Sequence, residues 1–545
     1  MAAQEDARPQ GVRGLRRSDG GKPAARPVRP LRPGPRGWFG HGRGTSSYIE
    51  APDEWRGTTV QVCGLFPFSV GTGAPMIGVP LGRHINTGAT LCCDPISWFQ
   101  RAKLISNPST FVLGKPGLGK STVVRRMATG LAGYGVMPLV LGDLKPDYLD
   151  MVRALGGQVI TLGRDRGFLN ILDPGEATGA AARLRAAGHV KEAGEVLADA
   201  HGRRLNMVLA LLTIVRGEPP SDHEATLLDR ALRVLDDEHD GVPVLRDLLK
   251  VIQVGPPAVR AVAVDRGDEG NYQRITERLE RSLIGLVEGG RFGRMFSEQT
   301  TNPMRRDKPV VYDVSAIDDS EMDLQAAVLL ACWSAGFGTV NIANVLADVG
   351  LEPRRHYFVI LDELWRALRA GRGMVDRVDA LTRLNRQRGV GMAMVSHTMS
   401  DLLALPTEED RMKAKGFVER SGMVICGGLP AAEMPQLTSA IPMSEAEQEM
   451  VTGWQDPPAW DPATGRETAA PGLGKFLVKV GGRPGIPITV ELTAAELSIN
   501  DTNQRWHQQS RVGPGAGEPA GSEVEDDVTN VRSRPALLPS ETDSP

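Results

Sequence analysis

The feature that most constrains this chain is the run Gly114-Lys115-Pro116-Gly117-Leu118-Gly119-Lys120-Ser121, followed by Thr122. Its glycines stand where a backbone must curl and approach a phosphate, Lys120 where an ammonium meets the β/γ-phosphate oxygens, and Ser121 where a hydroxyl ligates Mg2+. The flanks agree: Phe111-Val112-Leu113 reads as a strand, and Thr122 to Met127 as the start of a helix whose free N–H groups and dipole favour an anion. A strand, this loop and a helix in that order predict a P-loop nucleoside triphosphatase, with ATP as the nucleotide. A second run, Pro471-Gly472-Leu473-Gly474-Lys475-Phe476, has no Ser or Thr after its Lys and so cannot bind Mg2+ in the same way. It reads as a turn into a strand.

A P-loop enzyme also needs a carboxylate on a neighbouring strand for the metal and a second to polarise the attacking water. The run His356-Tyr357-Phe358-Val359-Ile360-Leu361-Asp362-Glu363 supplies both. Asp362 would join Ser121 at the metal, and Glu363 would be the base. Beyond a later apolar run ending at Val395, Ser396 and His397 stand either as sensors of the γ-phosphate or as simple strand caps. Arg383, Arg386 and Arg388 fit an arginine finger reaching a neighbouring subunit's nucleotide, or an ordinary solvated helix face. The segment from Gly142 to Tyr148, at the end of another strand, reads as a border of the nucleotide site or as a surface turn.

Short apolar, β-branched runs alternate with helical segments between two tails, the pattern of an α/β fold around a mainly parallel sheet. The strand candidates are Thr110–Leu113, Met137–Gly142, Gln158–Leu162, Pro309–Val314, His356–Leu361, Val390–Val395 and Gly422–Cys426. Between them, Leu228-Ala231-Leu232-Leu235 and Leu245-Leu248-Leu249-Ile252 carry helical spacing, interrupted at Pro219-Pro220 and Pro256-Pro257. This stretch predicts an all-helical insertion. The expected organisation is a disordered basic tail over 1–45, a small strand-rich lead-in over 46–105, ATPase segments over 106–175 and 301–510 around the insertion at 176–300, and a disordered acidic tail over 511–545.

A net charge of -3 over 545 residues sets up no global field toward nucleic acid or an anionic membrane. Five cysteines without a CxxC pair exclude a zinc framework and suit a reducing cytoplasm. The uncharged stretch Ala326–Ala347 holds Ser334, Gly336, Gly338, Thr339, Asn341 and Asn344, which marks it as a buried helix rather than a transmembrane segment. The N-terminus lacks the apolar region of a secretory signal.

The motif order resembles the ATPases of conjugative and type IV secretion systems, the VirB-four family, within the group that includes HerA and FtsK-type DNA pumps. The resemblance runs from Pro80-Leu81-Gly82, Thr87-Gly88 and Asp94 through the P-loop, Asp143-Leu144-Lys145-Pro146-Asp147-Tyr148 and Leu169-Asn170-Ile171-Leu172-Asp173-Pro174. It continues through Val311-Tyr312-Asp313-Val314-Ser315, Asp362-Glu363, the Arg-rich helix and the polar strand end at Ser396-His397, and covers roughly Pro80 to Ala440. It implies a RecA-like motor domain, Mg2+-dependent ATP hydrolysis, a homo-oligomeric and hexameric ring, and a cytoplasmic site peripheral to the inner face of the membrane, at secretion-channel components. Family members commonly carry Gln where this chain has His397, and their large N-terminal domain is missing or much reduced here. The expected function is a motor for conjugative DNA or protein transfer, with a HerA/FtsK-like DNA translocase and a nucleotide-controlled scaffold as alternatives. Glu363 speaks against the scaffold, which has little need of a second carboxylate.

Overall fold

Strand β3 (Ser109–Leu113) is buried at every residue, the condition that selects continuous apolar runs for strands covered on both faces. The computed structural model describes residues 74–499 apart from 165, 288–291, 293, 370–373, 383–388, 459 and 462–465. The two expected tails, part of the lead-in, and Arg383, Arg386 and Arg388 lie outside the described residues.

In chain order the strands are β1 (Pro80–His84), β2 (Thr90–Cys92), β3, β4 (Val136–Asp143), β5 (Gln158–Thr161), β6 (Val310–Asp313) and β7 (His356–Leu361). They continue as β8 (Val390–Val395), β9 (Met423–Cys426), β10 (Trp460–Asp461), β11 (Arg466–Glu467), β12 (Lys475–Lys479) and β13 (Ile486–Val490). All but β10 and β11 join one 11-stranded sheet in the order β2-β1-β13-β12-β9-β3-β8-β7-β4-β6-β5. From β9 to β5 every neighbour pairs parallel. These parallel strands are the seven runs that the β-branched pattern predicts. The remaining four pair antiparallel, so β1 and β2 of the lead-in close onto the late hairpin β12–β13 and lengthen the same sheet.

Helices cover both faces. The helix Met322–Asp348 has the length and composition of a membrane span, yet 83% of its most apolar window is buried. It lies against β4, where Gly336 comes so close that an added Cβ would meet the Leu141 side chain at 2.5 Å. Its polar residues are used internally: Asn341 donates to Asp199 at 3.1 Å, on the long helix Val190–Arg216. It is a core helix of the fold.

Between β5 and β6 the named elements among the described residues are helices, from Ala177–Ala186 to Glu269–Val287. Their start signals are explicit. Ser221 caps Asp222–Glu238 in a reciprocal capping box with Glu224, and that helix buries Leu227, Leu228, Ala231, Leu232, Val234 and Leu235 on one face.

Candidate nucleotide site

Parallel strands end at the same edge, so the order β4-β7-β8-β3 brings four connecting segments side by side. They are the P-loop after β3, residues 143–148 after β4, Asp362-Glu363 after β7 and Ser396-His397 after β8.

The P-loop turns from β3 into the helix Lys120–Gly133 through left-handed backbone at Gly117 (φ 80°) and Gly119 (φ 98°). At Gly117 a Cβ would meet nothing within 4 Å, so glycine is required there by conformation and not by crowding. Neighbouring loops hold the turn in place. Gly114 N donates to His397 O at 3.0 Å and Lys115 N to Gly428 O at 2.9 Å. The second Gly-Leu-Gly-Lys run backs the first, with Gly474 N donating to Leu118 O at 3.1 Å just before β12. It is the turn into a strand that its lack of a hydroxyl implies. Pro116 and Gly117 are exposed while Leu118 is buried, which leaves the crest of the loop open and its base packed.

Lys120 is 8% exposed, and its Nζ donates to Lys115 O at 3.2 Å. Burial lowers its pKa to about 8, against the pull of Asp362, Glu363 and Asp147. Ser121 Oγ donates to Asp147 Oδ2 at 2.7 Å, and Thr122 Oγ1 accepts from Arg125 at 3.3 Å. Lys120, Ser121 and Asp362 therefore share one electrostatic cluster.

Residues 143–148 are the part that the sequence reading left open between a site border and a surface turn. Asp143 is 2% exposed and Tyr148 is fully buried, so both ends of the segment are packed, while Lys145 and Pro146 between them are exposed. Asp143 accepts from the backbone N–H groups of Asp147 (3.0 Å) and Tyr148 (2.8 Å), which folds the segment back onto the sheet edge. Its burial outweighs those bonds and raises its pKa to about 7. Tyr148 Oη in turn donates to Asp362 Oδ2 at 3.0 Å. Asp143, Lys145, Asp147 and Tyr148 thus tie the P-loop to the β7 carboxylates. The signal for them was their polarity at a strand end, which alone does not separate a site from a turn.

Glu363 is 5% exposed and sits in the left-handed region at φ 52°. For a residue with a Cβ this costs about 1–2 kcal/mol, and it turns the side chain back over the sheet edge. Its Oε1 accepts from Lys145 Nζ at 2.9 Å and lies 3.4 Å from His397 Nε2; its Oε2 accepts from Trp365 Nε1 at 2.6 Å. Burial works against the carboxylate, but His397 and Lys145 outweigh it and hold Glu363 well below the usual range. Burial first, then the Glu363 charge, pushes Asp362 up. Two adjacent carboxylates with opposed titration have different roles open to them. Trp365 carried no signal in the sequence beyond its place two residues after Glu363.

Ser396 Oγ and His397 Nδ1 are both buried without a hydrogen-bond partner among the described residues. Unpaired polar atoms at a strand edge lined with charge are where an absent ligand's oxygens would be received.

No protein-family model and no curated protein matches the sequence. Solved structures do match in fold. VirB4 of Thermoanaerobacter pseudethanolicus superposes with a TM-score of 0.54 at 17% identity, over 78% of this chain and 99% of that one. The plasmid coupling protein TrwB in complex with ADP and Mg2+ aligns with a TM-score of 0.43 at 12% identity, over 79% of this chain and 92% of that one. The sheet-edge site described above is thus carried on a fold that this chain shares with VirB4.

Proposed function

We propose that this protein is an ATP-hydrolysing motor that energises transfer of DNA or protein through a type IV secretion-like channel. One observation carries the reading: the P-loop and the Asp362-Glu363 pair meet at one sheet edge, joined through Asp147, Tyr148 and Lys145. The VirB4 fold and the motif order support the step from ATPase to transfer motor.

The residues present fit ATP with Mg2+. The open crest at Pro116-Gly117 and the buried Lys120 suit a triphosphate. Ser121 Oγ and Asp362 would hold the cation, which supplies charge neutralisation on the phosphates when bound. Gly114 to Thr122 position the phosphates, and Lys120 offers its ammonium to them. Glu363 accepts the proton of the attacking water. His397, with its unpaired Nδ1, is the residue we assign to sensing the terminal phosphate. Arg386 and Arg388 are assigned to a finger acting on a neighbouring subunit in a hexameric ring. The ring would work in the cytoplasm at the inner face of the membrane, docked on channel components.

Phosphate release by the full chain, with and without DNA over a range of salt, tests this reading. Turnover that Lys120→Ala abolishes and that DNA stimulates in a salt-sensitive manner supports a DNA-transfer motor. Turnover indifferent to Lys120→Ala would remove the site from the account.

A further inference from the structure

Glu363 is the base in the reading above, on which this inference rests, and both of its oxygens are already engaged. Oε1 takes Lys145 with His397 beside it, and Oε2 takes Trp365. A general base works through a lone pair within reach of the water it deprotonates. Lys145 and His397 take both lone pairs of Oε1, whereas Trp365 takes one of the two on Oε2, and the Lys145 charge weakens the carboxylate as a base. Oε1 can receive the water only when one of its donors moves.

The donors are not equally free to move. Trp365 follows Glu363 in the short helix Leu364–Leu368, and its ring carries the Arg366 and Arg369 guanidinium groups at 5.0 and 4.7 Å. His397 is 19% exposed, and its backbone carbonyl is bonded to Gly114 of the P-loop. Lys145 stands on the segment after β4, and its side chain is 49% exposed. Its flexible stem lets the ammonium leave Oε1 without repacking the core.

Lys145 also has a destination. Asp147, two residues further along the same segment, accepts from Ser121 of the P-loop at 2.7 Å, so Lys145 stands beside the loop that would cradle the phosphates. A terminal phosphoryl group cradled by that loop carries more negative charge than one carboxylate and offers more acceptor oxygens. We propose that Lys145 is a latch on the base: its ion pair holds Glu363 back, and its ammonium shifts from Oε1 to a terminal phosphoryl oxygen to free that oxygen for the attacking water. Lys145 is thereby a positioning residue that makes the base available only when a third phosphate is bound. No bond is made or broken in this step, since one hydrogen-bonded ion pair replaces another.

Binding of a non-hydrolysable ATP analogue and of ADP, each with Mg2+, to the full chain by calorimetry tests the latch. Glu363→Gln removes the competitor for Lys145, so the analogue-over-ADP preference rises, by about threefold to tenfold for a half-exposed charged pair. In the double variant Lys145→Met with Glu363→Gln that gain disappears, and Lys145→Arg with Glu363→Gln restores it. A gain that survives Lys145→Met comes from relieved charge repulsion alone and overturns the latch, as does a Glu363→Gln preference equal to wild type. Failure of the base assignment shows separately, as full hydrolysis by Glu363→Gln.

Discussion

Tyr148 is the side chain on which the site's geometry turns at the level of single residues. Fully buried, it donates to Asp362 Oδ2 while its own N–H is fixed by Asp143. Tyr148→Phe removes one hydrogen bond to a carboxylate without changing the packed ring. The expected loss is about 1 kcal/mol in transition-state stabilisation, or roughly fivefold in kcat, with a melting temperature lower by about 1–2 °C for the lost buried hydrogen bond. Steady-state kinetics beside a thermal melt checks this, and an unaltered kcat would mean that Asp362 needs no such anchor. Lys120 gives a pH signature. Its ammonium is the group proposed to bind phosphate, and burial lowers its pKa from 10.5 to about 8. Raising the pH through 8 strips the proton from the free protein, so kcat/KM for ATP falls there, whereas kcat, measured with phosphate already bound, holds to higher pH. Of these residues, Lys120, Ser121, Asp362 and Glu363 could be singled out in the sequence because the roles proposed for them require fixed residue types at fixed spacing. Lys145 and Tyr148 were not, because a Lys or Tyr in a polar strand end becomes informative only when the opposing carboxylate is in view.

At the scale of elements, the parallel block does the positioning. Each strand that carries a site segment was legible as an apolar, β-branched run, but the order that makes β4, β7, β8 and β3 neighbours was not, since parallel pairing joins residues far apart in sequence. The antiparallel extension was also hidden, because β1 and β13 meet across almost the whole chain. The opposite end of the sheet is tied by Glu352, just after the core helix Met322–Asp348. Its carboxylate takes Arg183 at 2.7 Å, Arg306 at 2.5 Å and Arg355 at 2.8 Å, which join the insertion, the approach to β6 and the start of β7. Arg306 above all lowers the Glu352 pKa from 4.5 to about 2. A carboxylate lowered in the folded state stabilises above its unfolded value and loses that contribution as pH falls through the folded one. Glu352→Gln is therefore expected to lose about 2 kcal/mol at neutral pH, after allowance for partial solvent screening of its partners. The gap to wild type should narrow below pH 4.5 and close near pH 2. Denaturant unfolding at several pH values measures it, and a gap independent of pH would show that packing, not charge, is what Glu352 supplies.

At the scale of the whole molecule, one sheet is assembled from strands on either side of a helical stretch between β5 and β6. The sheet edge gathers every described residue that the motifs singled out for chemistry, while Arg386 and Arg388 lie outside the described residues. The helical stretch between β5 and β6 was visible from the spacing of its leucines, because that signal is local, whereas the capping box at Ser221 and Glu224 emerged only in the structure. The core helix Met322–Asp348 was readable as buried because its polar residues have no place in lipid and find partners inside the protein.

The central claim is that this sheet edge hydrolyses the ATP it binds, with Glu363 as base. A rapid-quench single turnover of bound radiolabelled ATP, comparing wild type with Glu363→Gln, tests it most directly. The account predicts that both proteins bind ATP, that wild type converts it to ADP, and that Glu363→Gln retains it intact with a rate lower by about 100-fold or more. Conversion at the wild-type rate by Glu363→Gln, with ATP bound normally, would contradict it.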